Sequence, residues 1–256
     1  MKVFVYQPYK NLGLFGNRET IENTVRNNEA NLFVFPELYI SGYFLRDEIH
    51  NVSLSRDDEF FDPLVKLARE RKTNIIFGFP EKENGFLYNS AMIIDEKGDK
   101  KVYRKMHLPN FGPFEEYLYF KPGDDLVYFD TSSGRVGVEI CYDIFFPFIT
   151  EHLAMNGTKY IVNISASPVT SRPLFEMLIP ARAVENTVYF IYNNWAGTQR
   201  NLVFWGGSTV VSPRGKIIKK ADYIKEEIIL EDLDDDEIKI ARAFRPTLRD
   251  NRNRQL

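Results

Sequence analysis

Three residues able to do chemistry stand at the ends of three short apolar runs. Cys141, the only cysteine in the chain, ends Val136-Gly-Val-Glu-Ile-Cys141 and is followed by Tyr142-Asp-Ile-Phe-Phe-Pro147. A residue just past a buried strand sits where α/β proteins place their ligands. The competing reading is a small buried hydrophobe, the commoner state of a free cysteine. As a nucleophile Cys141 needs help, because a thiol of pKa about 8.5 is only a few per cent thiolate near neutrality. Histidine is the usual helper, and the chain has His50, His107 and His152. His50 lies in a polar stretch and His152 falls on the helix expected after Pro147, so only a pairing with His107 stays open. Leu32-Phe-Val-Phe-Pro-Glu37 ends in a carboxylate, which partial burial would push up toward the range useful to a general base. A glutamate capping the next turn is the other reading. Val102-Tyr-Arg-Lys105 ends in basic residues that could equally be solvated strand-end charges. Together the three ends could bring a carboxylate, an ammonium and a thiol to one pocket. Three scattered histidines without paired carboxylates at ligand spacing predict no metal site.

These ends need elements to hold them. Short runs rich in Val, Ile, Phe and Tyr recur at 3–6, 32–35, 74–79, 91–94, 136–141, 160–164, 188–192 and 208–211. Their length reads as buried strands. Longer polar stretches between several of them carry apolar residues at helical spacing. Residues 18–30 place Ile21 and Val25 on one face with Asn17 as N-cap. Residues 57–72 repeat the pattern with Phe60, Phe61, Leu64 and Leu67, and 173–186 predict a further helix. Asp95-Glu-Lys-Gly98 and Ser212-Pro-Arg-Gly215 each separate two strand-like runs and read as hairpin turns. Strand–helix alternation with antiparallel pairs predicts an α/β fold with mixed sheets.

Composition narrows the class. The 256 residues are 44% hydrophobic, 27% charged and 14% aromatic, with a net charge of −3. That apolar fraction supports a true core and excludes a mainly disordered chain. One cysteine excludes an internal disulfide framework and a Cys-rich zinc module. Near-balanced charge argues against a dedicated nucleic-acid binder. No stretch reaches the ~18–20 apolar residues of a membrane helix. The first apolar run stops at Gln7 and Pro8, too early for a signal-peptide core, so the expected location is the cytoplasm. A single domain over 1–256 is expected. Its tail, 241–256, carries Arg242, Arg245, Arg249, Arg252 and Arg254 against one acid, Asp250, and reads as an extension at a subunit interface.

Six blocks in order carry a family resemblance. Phe35-Pro-Glu-Leu38 with Ser41-Gly-Tyr43, Tyr103-Arg-Lys-Met-His-Leu-Pro109 and Gly137-Val-Glu-Ile-Cys-Tyr-Asp143 resemble the three signature blocks of the nitrilase, or carbon–nitrogen hydrolase, superfamily. Pro180-Ala-Arg-Ala-Val-Glu-Asn186, Asn194-Trp-Ala-Gly197 and Gly207-Ser-Thr-Val-Val-Ser-Pro213 resemble its later blocks. The resemblance implies a four-layer αββα sandwich with two mixed sheets inside, and a Glu–Lys–Cys triad at Glu37, Lys105 and Cys141. A second glutamate maps onto Glu116, before Phe120-Lys-Pro-Gly123, with Glu115 as the adjacent alternative. The implied activity is hydrolysis of a small carboxamide or carbamoyl compound through a thioester, without cofactor. Nitriles, or a catalytically silent binding subunit, are the alternatives. Candidate substrate contacts are Tyr43, Phe111, Tyr142, Phe146, Ser165 and Ala166, and the resemblance also implies a homodimer or larger homo-oligomer. The stretch 110–116 resembles the glutaminase domain of glutamine-dependent NAD synthetases more than true nitrilases. Where many relatives carry Arg or Trp, and Glu, this chain has Phe145 and Phe148, which leaves the substrate class open.

Overall fold

The computed structural model describes residues 1–43 and 46–252. Two six-stranded mixed sheets form its centre. The first has the order β14-β1-β2-β3-β4-β5, from β1 (Lys2–Gln7), β2 (Leu32–Val34), β3 (Asn74–Glu83), β4 (Phe86–Ile94), β5 (Lys100–Arg104) and β14 (Glu227–Asp232). The second has the order β13-β12-β9-β8-β7-β6, from β6 (Val127–Thr131), β7 (Gly134–Ile140), β8 (Tyr160–Ser165), β9 (Tyr189–Asn194), β12 (Thr209–Val211) and β13 (Ile217–Lys220). In each sheet the three central strands run parallel and the outer ones antiparallel. A two-stranded ribbon, β10 (Ala196–Gln199) with β11 (Leu202–Trp205), joins β9 to β12.

Period-two alternation assigns the faces of the first sheet. Val3, Val5, Leu32, Val34, Ile76, Ala91 and Ile93 point into the core shared with Val138, Ile140 and Val162 of the second sheet. The intervening Phe4, Phe33, Ile75, Phe77 and Met92 face outward onto helices α1 (Gly13–Asn27) and α3 (Asp62–Arg71). On the far side, Ile149 and Leu153 of α5 (Pro147–Met155) and Phe175, Ile179 and Ala183 of α6 (Arg172–Asn186) cover the second sheet. Two short helices, α2 (Ile49–Val52) and α4 (Glu116–Tyr119), lie in connections. The fold is therefore the expected αββα sandwich. Both expected hairpin turns join antiparallel neighbours, β4 to β5 and β12 to β13.

The first helix differs from expectation. It starts at Gly13, and Asn17 lies inside it, fully buried, rather than capping it. Asn17 Oδ1 accepts from the Leu12 N–H at 3.0 Å, while Nδ2 donates to the Tyr39 carbonyl at 2.7 Å, which ties the helix to the segment after β2. The C-terminal stretch folds back on its own chain. After α7 (Asp235–Phe244), α8 (Thr247–Arg252) rests against α5 and α6, where Thr247 Oγ1 donates to the Glu185 carbonyl at 2.8 Å. Residues 253–256 of the expected extension lie outside the described residues. No described helix is long and apolar enough to cross a membrane.

Candidate active site

Glu37 follows β2 by three residues and is completely buried. A tight turn after it, with Leu38 at φ +47°, holds its backbone against β3. That approach needs a glycine: a Cβ on Gly78 would lie 2.1 Å from the Leu38 nitrogen and 2.7 Å from the Glu37 Cα. The Gly78 N–H donates to Pro36 O at 3.0 Å and its carbonyl accepts from the Ile40 N–H at 3.1 Å. From across the sandwich the Trp195 indole N–H donates to the Glu37 carbonyl at 2.7 Å. The Ala166 N–H, just past β8, donates to Glu37 Oε2 at 2.7 Å.

Lys105 follows β5 directly, with its N–H on Asn89 O at 2.8 Å and its carbonyl accepting from the Gly123 N–H at 2.9 Å. Its Nζ, fully buried, donates to Glu37 Oε1 and to Glu116 Oε1, each at 2.7 Å. Glu116 opens α4 and also accepts from the Tyr43 hydroxyl at 2.7 Å. Asn89 of β4 reaches both carboxylates, at 2.7 Å from Glu37 and 3.3 Å from Glu116. The neighbouring Glu115 instead faces Arg46 at 3.6 Å on the half-exposed rim. Burial alone would lower the Lys105 pKa, but Glu116 and Glu37 more than offset it, so the ammonium is held charged. Burial and Glu37 push Glu116 up, against the pull of Lys105.

Cys141 directly follows β7 and adopts φ +46°, an uncommon conformation for a residue other than Gly, Asn or Asp. It opens a single 3₁₀ turn, Cys141–Phe145. Buried Asp143 staples that turn. It accepts from the Ile140 N–H at 3.1 Å, the Tyr103 hydroxyl at 2.8 Å and the His107 N–H at 2.9 Å, and lies 3.0 Å from His107 Nδ1. His107 is thus engaged with Asp143, and its ring stacks flat on Phe146 with centroids 3.4 Å apart. The Cys141 thiol is pushed well above its ordinary value, first by burial and then by Glu37, whereas Lys105 and the Ala166 N–H pull it down. At rest it is a thiol beside a carboxylate and an ammonium, so attack requires a base to remove its proton.

Cys141 opens into a cavity of about 170 Å³. Tyr142 and Phe111 line it, with Phe114, Phe145, Leu174 and Phe175 completing an apolar wall; Pro109, Ser167 and Ser171 fill the remainder. Of the other candidate contacts, Tyr43 instead packs against Glu116, Phe114 and Phe204. Phe146 is turned onto His107, because the 3₁₀ turn presents Phe145 to the cavity in its place. Ser165 Oγ donates to Asn163 Oδ1 behind the site, Ala166 contributes its backbone N–H, and the residue facing the cavity is Ser167. Sequence reasoning missed Asn89, Gly78, Asp143 as the staple of the turn, and Ser167. Asp143 lies within the block that ends in Cys141-Tyr-Asp143, whereas Asn89, Gly78 and Ser167 carry no local signal. Among the described residues no group of three or more His, Cys, Asp or Glu could hold a metal ion.

Two facing mixed sheets with covering helices, and a carboxylate–ammonium–thiol cluster at their strand ends, define the class of fold and site. The sequence pattern of the carbon-nitrogen hydrolase family matches residues 14–243, and the chain belongs to that family. It is 36% identical over 221 residues to a probable nitrilase of Schizosaccharomyces pombe, covering 84% of this chain and 80% of the relative. It is 34% identical over 246 residues to a glutamine-dependent NAD(+) synthetase of Thermotoga maritima, covering 93% of this chain but only 42% of that protein. Among solved structures, an amidase from Nesterenkonia sp. superposes with a TM-score of 0.81 at 28% identity, over 98% of this chain and 95% of that one.

Proposed function

We propose that this chain hydrolyses a small carboxamide to its acid and ammonia through a thioester on Cys141. The observation that carries the proposal is the buried Lys105, 2.7 Å from both Glu37 and Glu116, set beside the one thiol of the chain at the mouth of a cavity. Glu37 takes the thiol proton as Sγ forms its bond to the carbonyl carbon. The oxyanion is stabilised by Lys105 Nζ and the Tyr142 N–H, both fixed before the substrate arrives. Collapse of the tetrahedral intermediate breaks the C–N bond, and the proton held by Glu37 leaves with ammonia. Water, deprotonated by Glu37, then attacks the thioester, and the acid departs as the proton returns to sulfur. Glu116 keeps Lys105 charged and in place. A homo-oligomer is part of the same proposal, tested by the mass in solution with and without residues 246–256.

Ammonia release from a panel of carboxamides tests the chemistry. Cys141→Ala is expected to abolish turnover, and Glu37→Gln to reduce kcat by about 10²–10⁴-fold, the usual contribution of a general base. Turnover by Cys141→Ala at the wild-type rate would sink the mechanism. The likeness to a probable nitrilase favours a second reading, in which nitriles are attacked by the same thiol. Ammonia from nitriles but not from amides would select it.

A further inference from the structure

The cavity beyond Cys141 has walls of one chemical kind. Phe114 and Phe175 are 9% and 3% exposed, and Phe145, Tyr142 and Leu174 complete a surface of rings and branched carbon. Among the described residues that line the cavity, none carries a charge. The charges of the neighbouring cluster are spent on one another, with Lys105 on Glu37 and Glu116. On the rim Arg46 faces Glu115, and at the start of α6 Arg172 faces Glu176 at 3.9 Å. Of the hydroxyls on its lining, those of Tyr142 and Ser171 belong to partly exposed residues, whereas the Ser167 hydroxyl is fully buried beside the Tyr192 hydroxyl and has no hydrogen-bond partner at good geometry.

Resting on the amidase reading above, we propose that the substrate is a carboxamide whose acyl side is uncharged and apolar, of about the size of a phenyl ring or a branched chain of similar bulk. Size follows from volume: an apolar cavity of about 150 Å³ holds a benzene molecule, and this one is about 170 Å³. Charge follows from desolvation. An acyl group ending in a carboxylate or an ammonium would surrender its hydration to aromatic walls without meeting an opposite charge, which is strongly unfavourable. A neutral ring gains the burial of its own surface and that of the walls. Ser167 Oγ, which has only the Tyr192 hydroxyl beside it, then accepts from the carboxamide N–H.

The test uses the full chain and small carboxamides: benzamide, cyclohexanecarboxamide and, as a smaller branched compound, isobutyramide as neutral compounds, succinamic acid as the anion, 4-aminobutanamide as the cation. Two readouts are taken, kcat/KM for ammonia release and protection of Cys141 from alkylation by iodoacetamide. The neutral amides are expected to exceed both charged ones by at least about 100-fold in kcat/KM, and to protect Cys141 in the same order. A charged amide that is turned over or protects as well as the neutral ones overturns the proposal, as does absence of protection by every neutral amide up to its solubility. Ranked protection without any ammonia supports the pocket assignment while rejecting the hydrolytic reading on which it rests. Leu174→Arg, at a half-exposed position on the cavity wall, is expected to shift the succinamic acid to benzamide ratio toward the anion by at least about tenfold. An unchanged ratio would place the acyl group elsewhere.

Discussion

At Glu139, two residues upstream of Cys141, burial pushes the carboxyl up to about 7, against hydrogen bonds from Asn163 and Thr150 that favour its ionised form. Asn163 Nδ2 lies 2.9 Å from one oxygen and Thr150 Oγ1 2.8 Å from the other, and the same Asn163 amide reaches the Cys141 carbonyl at 3.4 Å. The proposed chemistry uses no proton from this group, yet it sits directly behind the nucleophile. Its effect on folding has a definite sign. A carboxyl whose folded pKa exceeds its ordinary value of 4.5 contributes stability that is complete below about pH 4.5 and is lost as pH rises through 7. Glu139→Gln keeps the shape and cannot ionise. The melting temperature of the variant relative to wild type is therefore expected to climb between pH 5 and pH 8. A difference independent of pH would show that Glu139 titrates normally. Lys105 poses the opposite case, since its removal would leave Glu37 and Glu116 facing one another in a buried site with no cation between them.

At the scale of elements, the site is a product of strand ends and of the glycines that let neighbouring backbones close on them. Gly78 is the sharpest instance, because a methyl group there meets the Leu38 nitrogen at 2.1 Å and the Glu37 carbonyl carbon at 2.6 Å. Both contacts are backbone, which cannot rotate aside. Gly78→Ala is expected to cost about 1–3 kcal/mol as overpacking, or roughly 2–4 °C of melting temperature per kcal/mol at this size. Ammonia release should fall further than stability does, since the displaced atoms carry Glu37, the proposed general base. Wild-type activity in a folded Gly78→Ala protein would reject the role given to this close approach. The same element explains what the sequence could and could not disclose. Apolar runs with turn signals disclosed the central strands and both hairpins but not β6, β14 or the β10–β11 ribbon, and their ends offered Glu37, Lys105 and Cys141 as candidates that the family resemblance drew together. Asn89 escaped because it lies in mid-strand, and only the pairing of β4 with its neighbours brings it to the two carboxylates. Phe145 and Phe146 were exchanged because a 3₁₀ turn, rather than extended chain, follows the nucleophile and rotates the next side chains by about 120° per residue. Asn17 lay in a plausible cap position, yet helix α1 begins four residues earlier and uses it as a buried tie.

At the scale of the whole molecule, neither sheet holds the site alone. Glu37 and Lys105 come from the first sheet, whereas Cys141 and the Ala166 N–H come from the second. The sheets are stitched around them by hydrogen bonds from Trp195 to the Glu37 carbonyl, from Asn193 to the Val34 carbonyl at 2.9 Å, and from Tyr103 to Asp143. A continuous apolar core, from Val5 and Val34 on one side to Ile140 and Val162 on the other, lies beneath the same contacts. Sliding or parting the sheets would therefore break the core and the geometry of the proposed site in one event. Both tryptophans of the chain, Trp195 and Trp205, are buried at this junction, so their fluorescence reports its opening. Loss of ammonia release and loss of the buried-tryptophan signal are expected to share one midpoint in urea, as coincident probes do in a cooperative transition. An activity midpoint at clearly lower urea would mean that the strand ends open while the sandwich stays closed, and would confine the site's rigidity to its loops. Trp195→Phe sharpens the comparison. It leaves the Glu37 carbonyl buried without its indole donor, a loss of about 1–3 kcal/mol. If the junction acts as one unit, both midpoints should move down together.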